Sequence, residues 1–351
     1  MTPYSKELDE LQIHFILCTE RSGSSLLSLM LNVSPQVLGP SEEPFAVYFY
    51  GRYKNKVKWT QEELKKYVDD FWLMAEQSLA IFFTGKDKFL EALLPHRDHL
   101  PYRNLVKLTY LQFIEPKPKG GLKMIVDKQV KFFFYLPLVC EIFPDAKFVV
   151  LVRDVRDNIV AKAARGLHES KDAVYLSAIW NFSYRTVRYL EEHKKKIRVV
   201  RYEDLVKETE KTLRGLCAFL GVDFIPRMLD PAPVYENFLK IREGHTDKEQ
   251  MEYVLKFQSS LINAGIKEDK IGIYRSALNE KTAGKVMALN KDLFRRFGYE
   301  GNGENGASLT VADRFQILRA WLRFPVLLKL YQLLPLGVKL FIKKVRNKPR
   351  T

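Results

Sequence analysis

A strand, a tight turn and a helix follow one another between Gln12 and Leu31, and this succession constrains the fold more than any other part of the chain. The apolar run from Ile13 to Cys18 predicts a buried strand, and a helical pattern begins at Leu26. Between them lies the polar turn TERSGSS, residues 19–25. Backbone N–H groups and the positive end of the helix dipole converge in such a turn, so it predicts either an anion site or an ordinary connection.

The side chains of this turn suit an anion with phosphate or sulfate oxygens. Arg21 supplies a planar, permanently charged guanidinium, and Ser22, Ser24 and Ser25 supply hydroxyl donors around Gly23. The Walker pattern G-x-x-x-x-G-K-[ST] is missing, which argues against an ordinary ATP or GTP enzyme. A small-molecule kinase stays a weaker alternative.

Strands alternate with helices along much of the remaining chain. Apolar runs over residues 122–126, 147–152 and 197–201 predict strands, and a helical pattern follows each of them. This alternation predicts an α/β fold, a P-loop-like parallel β-sheet flanked by helices on both faces, with a C-terminal helical extension. Ligands of such sheets bind at the carboxyl ends of the strands, where Arg21, Glu42, Asp127 and Arg153 all fall.

The length of 351 residues allows one large core with appendages. We predict a main domain over residues 1–298 with a helical, aromatic-rich insertion over about 45–115, a linker over 299–310 and a basic tail over 311–351. The three cysteines are scattered in apolar settings, and the start of the chain shows no secretory signal. A reducing, cytoplasmic location is therefore expected.

The positive charge of the chain is concentrated in the tail. Residues 311–351 carry ten Lys or Arg against one acid, so they hold +9 of the net +15. Leucines and aromatics alternate with these charges, and no apolar run reaches the roughly 18 residues that span a bilayer. The tail predicts either a helical segment on an anionic membrane surface or helices that pack on their own domain or on a partner subunit. No nucleic-acid module accompanies the charge, so nucleic acid is not an expected partner.

Three further segments place charged or aromatic side chains after predicted strands or before a helix. They are residues 151–165, with Arg153, Arg156, Lys162 and Arg165 as candidate anion ligands; residues 201–222, with Tyr202; and residues 270–300, with Gly272 and Arg275. Local salt bridges of Asp154 and Asp157 are the alternative explanation of the first segment.

Together and in this order, these segments and the 19–25 turn resemble the sulfotransferase family. Its enzymes move a sulfuryl group from 3′-phosphoadenosine 5′-phosphosulfate (PAPS) to an acceptor and release the desulfated nucleotide, PAP. The resemblance covers about Ile13 to Glu300, is strongest at RSGSSLL, FPDAKFVVLVRDVRD and RYEDL, and implies the sulfotransferase fold. Within the family, the sequence resembles the bacterial or Golgi-like branch, whose members use a glutamate as the catalytic base.

The resemblance implies roles for individual residues. Arg21 and residues 22–25 correspond to the loop that binds the 5′-phosphosulfate, and Arg153 to the residue that grips the 3′-phosphate. Eight positions further on, the family usually has a serine that shares this grip, and here Ala161 stands there. Lys162 is a candidate substitute.

The remaining nucleotide contacts implied by the resemblance come from later in the chain. Tyr202 lies where an aromatic ring approaches the nucleoside. Gly272 and Arg275 resemble the C-terminal nucleotide-binding segment, although its usual tryptophan is replaced by Tyr274.

The resemblance also bears on the catalytic base. Cytosolic small-molecule members use a histidine on the strand before the 3′-phosphate arginine, and residues 125–131 contain none. Golgi-type and many bacterial members instead place a glutamate beyond a short second strand, where Glu42 falls, with Glu43 as the alternate. Burial among aromatic rings would raise the pKa of such a carboxylate toward working pH. The other explanation is that either glutamate only pairs with a nearby Lys or Arg.

The expected function is therefore in-line sulfuryl transfer from PAPS to a hydroxyl acceptor. Glu42 would accept the proton, and Arg21 would stabilise the charge on the leaving phosphate. A lipid-like, steroid or other small amphipathic alcohol is the expected acceptor. The alternative is a non-catalytic nucleotide-binding or membrane-surface scaffold that keeps the fold. Ala161 favours this alternative, because it replaces a serine that the family uses to bind the 3′-phosphate. No Cys, His and carboxylate cluster has metal-ligand spacing, so no metal is expected.

Overall fold

A computed structural model describes residues 3–40, 42–74, 83–113, 121–165, 170–233, 268–299 and 307–346, together with residues 236 and 266. Within these residues, parallel strands form one sheet in the order β2-β3-β1-β4-β5. The strands are β1 (Gln12–Cys18), β2 (Val37–Leu38), β3 (Met124–Gln129), β4 (Lys147–Val152) and β5 (Lys196–Arg201).

Helices connect the strands and cover the sheet. In chain order the α-helices are α1 (Pro3–Glu10), α2 (Ser24–Asn32), α3 (Phe45–Tyr48), α4 (Tyr50–Tyr53), α5 (Gln61–Met74), α6 (Lys86–Leu93), α7 (Tyr102–Tyr110), α8 (Leu136–Ile142), α9 (Val155–Arg165), α10 (Ala173–Arg185), α11 (Val187–Glu192), α12 (Tyr202–Lys207), α13 (Thr209–Leu220), α14 (Tyr274–Ala277), α15 (Glu280–Arg296), α16 (Val311–Trp321), α17 (Leu327–Leu333) and α18 (Leu336–Arg346). Shorter 3₁₀ or π segments span Leu94–His96, Phe132–Tyr135, Pro226–Leu229, Glu268–Lys270 and Leu322–Val326.

The two faces of the sheet pack against different cores. Because successive strand side chains alternate, Phe15 and Leu17 of β1 join one core, and Ile16 and Cys18 join the other. The first core includes α5, α7, α10 and α15, and the second includes α2 and α13. A parallel sheet with helices on both faces is the predicted arrangement, and the structure confirms it.

The aromatic-rich insertion is mainly core. Its buried rings pack on the first face in tilted and edge-to-face contacts and include Phe45, Phe49, Trp59, Phe71, Phe83 and Phe89. Residues 75–82 and 114–120 of this region, Phe82 among them, lie outside the described residues. The insertion therefore supports the sheet, apart from a few tyrosines that line a cavity described below.

The C-terminal tail packs on the body of the protein, which is one of the arrangements that its sequence predicts. The Lys285 Nζ of α15 lies 2.7 Å from Oδ2 of Asp313 in α16. Ala320, Leu336 and Leu340 are buried in the first core. Residues 300–306 of the predicted linker and 347–351 of the tail lie outside the described residues. No helix in the described part of the chain is both long enough and apolar enough to cross a membrane.

Candidate active site

The 19–25 turn has a strained backbone that neighbouring side chains hold in place. Arg21 and Gly23 have φ angles of 63° and 86°, in the left-handed region. For a residue other than glycine this conformation costs about 1–2 kcal/mol. The Asn158 amide donates to the Glu20 carbonyl oxygen at 2.8 Å and to Ser22 Oγ at 3.1 Å. Asn158 of α9 therefore holds the turn in place, a role that the sequence pattern did not indicate.

The N-terminus of α2 opens at this turn. Its N-cap residue is Gly23, which has no side chain to accept from the first N–H groups of the helix. A Cβ atom at Gly23 would lie 2.4 Å from Cδ2 of Tyr202, so the tyrosine ring rests directly on the glycine backbone. Ser24 is buried and Ser25 is half-buried beside it. N–H groups and hydroxyls thus converge where an anion can bind.

Arg153 joins three parts of the site at the carboxyl edge of the sheet. Its Nη1 donates to the Arg21 carbonyl oxygen at 2.9 Å, and its Nη2 donates to the Lys270 carbonyl oxygen at 2.6 Å. Its guanidinium lies 4.7 Å from the centre of the Tyr202 ring. The buried Nε finds no hydrogen-bond partner among the described residues. The structure therefore brings Arg153 and Tyr202, which are distant in sequence from the 19–25 turn, against Arg21 and Gly23 of that turn.

Positive charge accumulates at this edge. Partial burial, and then the charges of Arg165 and Arg153, lower the pKa of the Arg21 guanidinium. Mutual repulsion of this kind is relieved by a ligand with several negative charges. The site thus favours a polyanion.

The segment that contains Gly272 is anchored to α9 by Asp157. The carboxylate accepts from the N–H groups of Gly272 at 2.7 Å and Tyr274 at 3.0 Å. Burial raises the pKa of Asp157, and these two hydrogen bonds oppose the rise. The φ of Gly272 is 77°, and a Cβ atom there would lie 2.5 Å from Nη1 of Arg275. Gly272 and Arg275 therefore adjoin each other beside the carbonyl group that binds Arg153.

Two basic residues of α9, Arg156 and Lys162, are buried. Arg156 turns inward, pairs with Asp154 at 2.8 Å and stacks on the Tyr274 ring at 3.9 Å. The Nζ of Lys162 is buried 3.8 Å from the Glu20 carboxylate and makes no hydrogen bond among the described residues. Lys162 thus lies under the 19–25 turn, and its expected share in a 3′-phosphate clamp stays a prediction.

Glu42 forms an ion pair with a lysine that the sequence analysis missed. Lys128 Nζ donates to Glu42 Oε2 at 2.5 Å, and the Val130 N–H donates to Oε1 at 3.3 Å. Burial lowers the pKa of Lys128, but the charge and hydrogen bond of Glu42, together with Cys18 and Asp127, raise the pKa overall. The predicted strand ended at residue 126, whereas β3 continues to Gln129 and delivers Lys128 to the carboxyl edge. The role of Glu42 as base stays a prediction.

Asp127 is a second carboxyl group at this edge, where the sequence places it. It is fully buried and accepts hydrogen bonds from the Tyr110 hydroxyl at 2.5 Å and from Gln129 Nε2 at 3.0 Å. Burial raises the pKa of Asp127 to about 7, although both hydrogen bonds oppose the rise. Glu43, the alternate base, is also buried. Among the described residues, no group of three or more His, Cys, Asp or Glu could hold a metal ion.

The fold and this site define an α/β protein in which basic side chains, a glycine turn and a helix N-terminus together form a site suited to a polyanion. The model of the sulfotransferase family matches residues 14–226, more than half of the chain. The chain therefore belongs to the sulfotransferase family, and the predicted resemblance is confirmed. Members are enzymes that transfer a sulfuryl group from PAPS.

The solved structure of a sulfotransferase domain supports the fold. The sulfotransferase domain of the Synechococcus PCC 7002 olefin synthase aligns with a TM-score of 0.54 at 20% identity, over 83% of this chain and 96% of that chain. Mouse sulfotransferase SULT7A1 complexed with PAP aligns with a TM-score of 0.41 at 13% identity, over 90% and 92%. Sulfotransferase STF9 from Mycobacterium avium gives 0.41 at 12%, over 86% and 81%. No curated protein sequence matches significantly.

Proposed function

We propose that this protein binds PAPS at the carboxyl edge of its sheet and transfers the sulfuryl group to the hydroxyl of a small amphipathic alcohol. The observation that carries the proposal is the position of Arg153, which hydrogen-bonds to the backbone of both the 19–25 turn and Lys270. A nucleotide with phosphate groups at both ends needs two cationic sites that face one cleft. Arg21 and Arg153 would provide them.

Each binding residue has a task in this proposal. Residues 21–25 and the N-terminus of α2 would hold the 5′-phosphosulfate, and Arg153 would hold the 3′-phosphate. Tyr202, which rests on Gly23, would support the nucleoside. Gly272 and Arg275 would contact the nucleotide from the segment that Asp157 anchors. Lys162, the candidate substitute for the serine that Ala161 replaces, would contribute positive charge from below the turn, where its Nζ lies 3.8 Å from Glu20.

Glu42 is the proposed base, and Lys128 its partner. When an anionic nucleotide draws the Lys128 ammonium toward the transferred group, Glu42 Oε2 loses its ion pair and is able to take the acceptor proton. The acceptor oxygen then forms its bond to sulfur as the bond from sulfur to the 5′-phosphate oxygen breaks. Arg21, Lys128 and the N–H groups of the turn would stabilise the charge on that oxygen.

The outer surface of the tail supports an amphipathic acceptor and a peripheral membrane location for this expected cytoplasmic enzyme. Most large apolar side chains that are exposed in the described residues belong to the tail, and they include Phe315, Leu318, Trp321, Leu330, Leu333 and Phe341. Ten basic residues share this segment. Apolar side chains with cationic neighbours bind an anionic lipid surface, where lipid-like or steroid hydroxyls are found.

The test is turnover with matched variants. Purified full-length protein is incubated with PAPS and a panel of lipid, steroid and other alcohol acceptors, and PAP release is measured. We expect Glu42→Gln to reduce kcat by about 10²–10⁴-fold while PAP affinity stays close to that of the unmodified protein. Glu43→Gln is the matched control and should retain most of the activity. A reversed result would assign the base to Glu43.

A non-catalytic scaffold is the competing function, and Ala161 is the residue that favours it. Tight PAP binding without turnover of any acceptor in the panel would support the scaffold. Absence of PAP binding in the folded protein would overturn both proposals.

A further inference from the structure

A large cavity lies between part of the C-terminal tail and the body of the protein. Its volume is about 1200 Å³, and its walls come from α3, α4, α8, α10, α11, α17, α18 and the segments next to them. Small-molecule sites usually have volumes of about 300–1,000 Å³, so this cavity is large enough for an extended ligand. None of the residues assigned above to the nucleotide or to the base lines it.

The lining of the cavity is amphipathic. Tyr48, Phe133, Phe134, Phe182 and Trp321 contribute aromatic surface. The charged residues of the lining are mainly basic: Arg52, Lys54, Arg185, Arg188, Lys329 and Lys339, against Glu141 and Glu192. An aromatic wall with an excess of positive charge is complementary to an apolar chain that carries an anionic group.

Lys339 places one of these charges inside the cavity wall. It is only 6% exposed, and its Nζ donates to the Gln332 carbonyl oxygen at 3.1 Å. The ammonium also lies 5.7 Å from the centre of the Tyr48 ring and 5.9 Å from that of Tyr331. No carboxylate of the described residues lies within ion-pair distance of it. A buried ammonium with a carbonyl and two rings as its partners lacks the counter-charge that normally compensates such burial.

Gly337 is a residue of the cavity wall that has room for a larger side chain. A Cβ atom at Gly337 would meet no heavy atom within 4 Å, so a larger side chain there would project into open space. Gly337 lies in α18, two residues before Lys339, and lines the cavity. A bulky residue at this position would add volume at the wall of the cavity, and its Cβ atom would meet no core atom.

We propose that this cavity binds a single-chain amphiphile with an acidic head group, with the anion paired to Lys339 and the chain laid along the aromatic wall. The tail is then one wall of a lipid site as well as an outer surface of the protein. This site goes beyond the sulfuryl-transfer site and does not depend on PAPS binding.

The experiment measures binding of laurate and of its neutral analogue, dodecanol, to the full chain by isothermal titration below their aggregation concentrations. We expect saturable laurate binding that Lys339→Gln weakens about tenfold or more, because a charged hydrogen bond is lost. Dodecanol affinity should be the same in both proteins. Lys344→Gln, an exposed lysine on the same helix, is the matched control and should bind laurate normally. Gly337→Phe should weaken both ligands.

Unsaturable laurate binding would overturn the proposal, and so would equal laurate affinity in the unmodified protein, Lys339→Gln and Gly337→Phe. PAP is titrated in parallel with each protein. PAP binding without laurate binding overturns the lipid site alone, whereas laurate binding without PAP binding overturns the proposed transferase function alone.

Discussion

The Arg153 guanidinium donates to the backbone carbonyl oxygen of Arg21 at 2.9 Å, so two arginines that follow different strands are joined through the main chain of one of them. The contact fixes the position of the 19–25 turn relative to the end of β4. It also leaves the Arg21 guanidinium itself uninvolved in this bond, and therefore available to an anion. The same arrangement makes the ligand site sensitive to single substitutions.

Arg153→Ala should weaken PAP binding about 10–100-fold, because hydrogen bonds to a charged group contribute about 1.5–3 kcal/mol. Arg153→Lys should recover only part of the affinity, since lysine lacks the planar fork whose two nitrogens reach the Arg21 and Lys270 carbonyl oxygens separately. Arg214→Ala, on the exposed face of α13, is the control. Isothermal titration with PAP measures the affinities, and circular dichroism checks folding. Unchanged affinity in folded Arg153→Ala would refute the assignment.

Gly23→Ala should destabilise the turn and reduce PAP affinity. The substitution meets a φ of 86° and places a methyl group 2.4 Å from the Tyr202 ring. The backbone conformation alone costs about 1–2 kcal/mol, and displacement of the ring adds to this. Gly51→Ala is the matched control, because a Cβ atom there meets nothing within 4 Å. Thermal unfolding and PAP titration of both variants test the prediction, which fails if the two behave alike.

Asp127 should make the free energy of unfolding fall as pH rises. Its pKa is about 7 in the folded protein, and an unfolded carboxyl group titrates near about 3.9. At a pH between these two pKa values, Asp127 is protonated in the folded state and ionised in the unfolded state. The free energy of unfolding therefore falls as pH rises, by up to about 4 kcal/mol. Asp127→Asn should reduce this loss between pH 5 and pH 8 in urea titrations. Asp145→Asn, at an exposed position, should keep the unmodified slope.

The exposed face of the tail should bind anionic vesicles. We expect the full-length protein to sediment with vesicles of phosphatidylserine and phosphatidylcholine, less so at high salt. Phe315→Glu with Phe341→Glu should abolish sedimentation, because both rings are more than 60% exposed and neither lines the cavity. Leu73→Glu, an exposed leucine on α5, is the control. Vesicle binding by the doubly substituted protein would show that this face is not the attachment surface.

Asp313→Asn should loosen the tail. The carboxylate pairs with Lys285 and completes a capping box with Thr310, in which each residue accepts from the backbone of the other. Loss of a cap costs about 0.5–2 kcal/mol, and the lost ion pair adds to it. Limited proteolysis should cleave the variant after α15 faster than the unmodified protein. Asp292→Asn, exposed on α15, should leave the rate unchanged.

The sequence predicted those features that depend on local pattern. The parallel sheet follows from alternating strands and helices, and the 19–25 turn from glycine and serine between a strand and a helix. The resemblance supplied Arg153, which the structure places against Arg21. These features lie at strand ends, where chain order already fixes position.

Features that depend on contacts between distant segments could not be read from the pattern. Lys128 was missed because residues 127–129 look polar, yet β3 continues through them and Glu42 provides the counter-charge. Arg156 resembles a ligand residue, but Asp154 and the Tyr274 ring draw it inward. The cavity forms only when the tail returns to Tyr48, nearly 300 residues earlier in the chain.

Helix α18 has two sides with different neighbours: Lys339 faces the cavity, and Phe341 faces outward. A rigid helix cannot move one of these side chains without the other. An amphiphile in the cavity and a bilayer on the outer face would both stabilise the same position of this helix. By thermodynamic reciprocity, each would then raise the binding affinity of the protein for the other by the same factor.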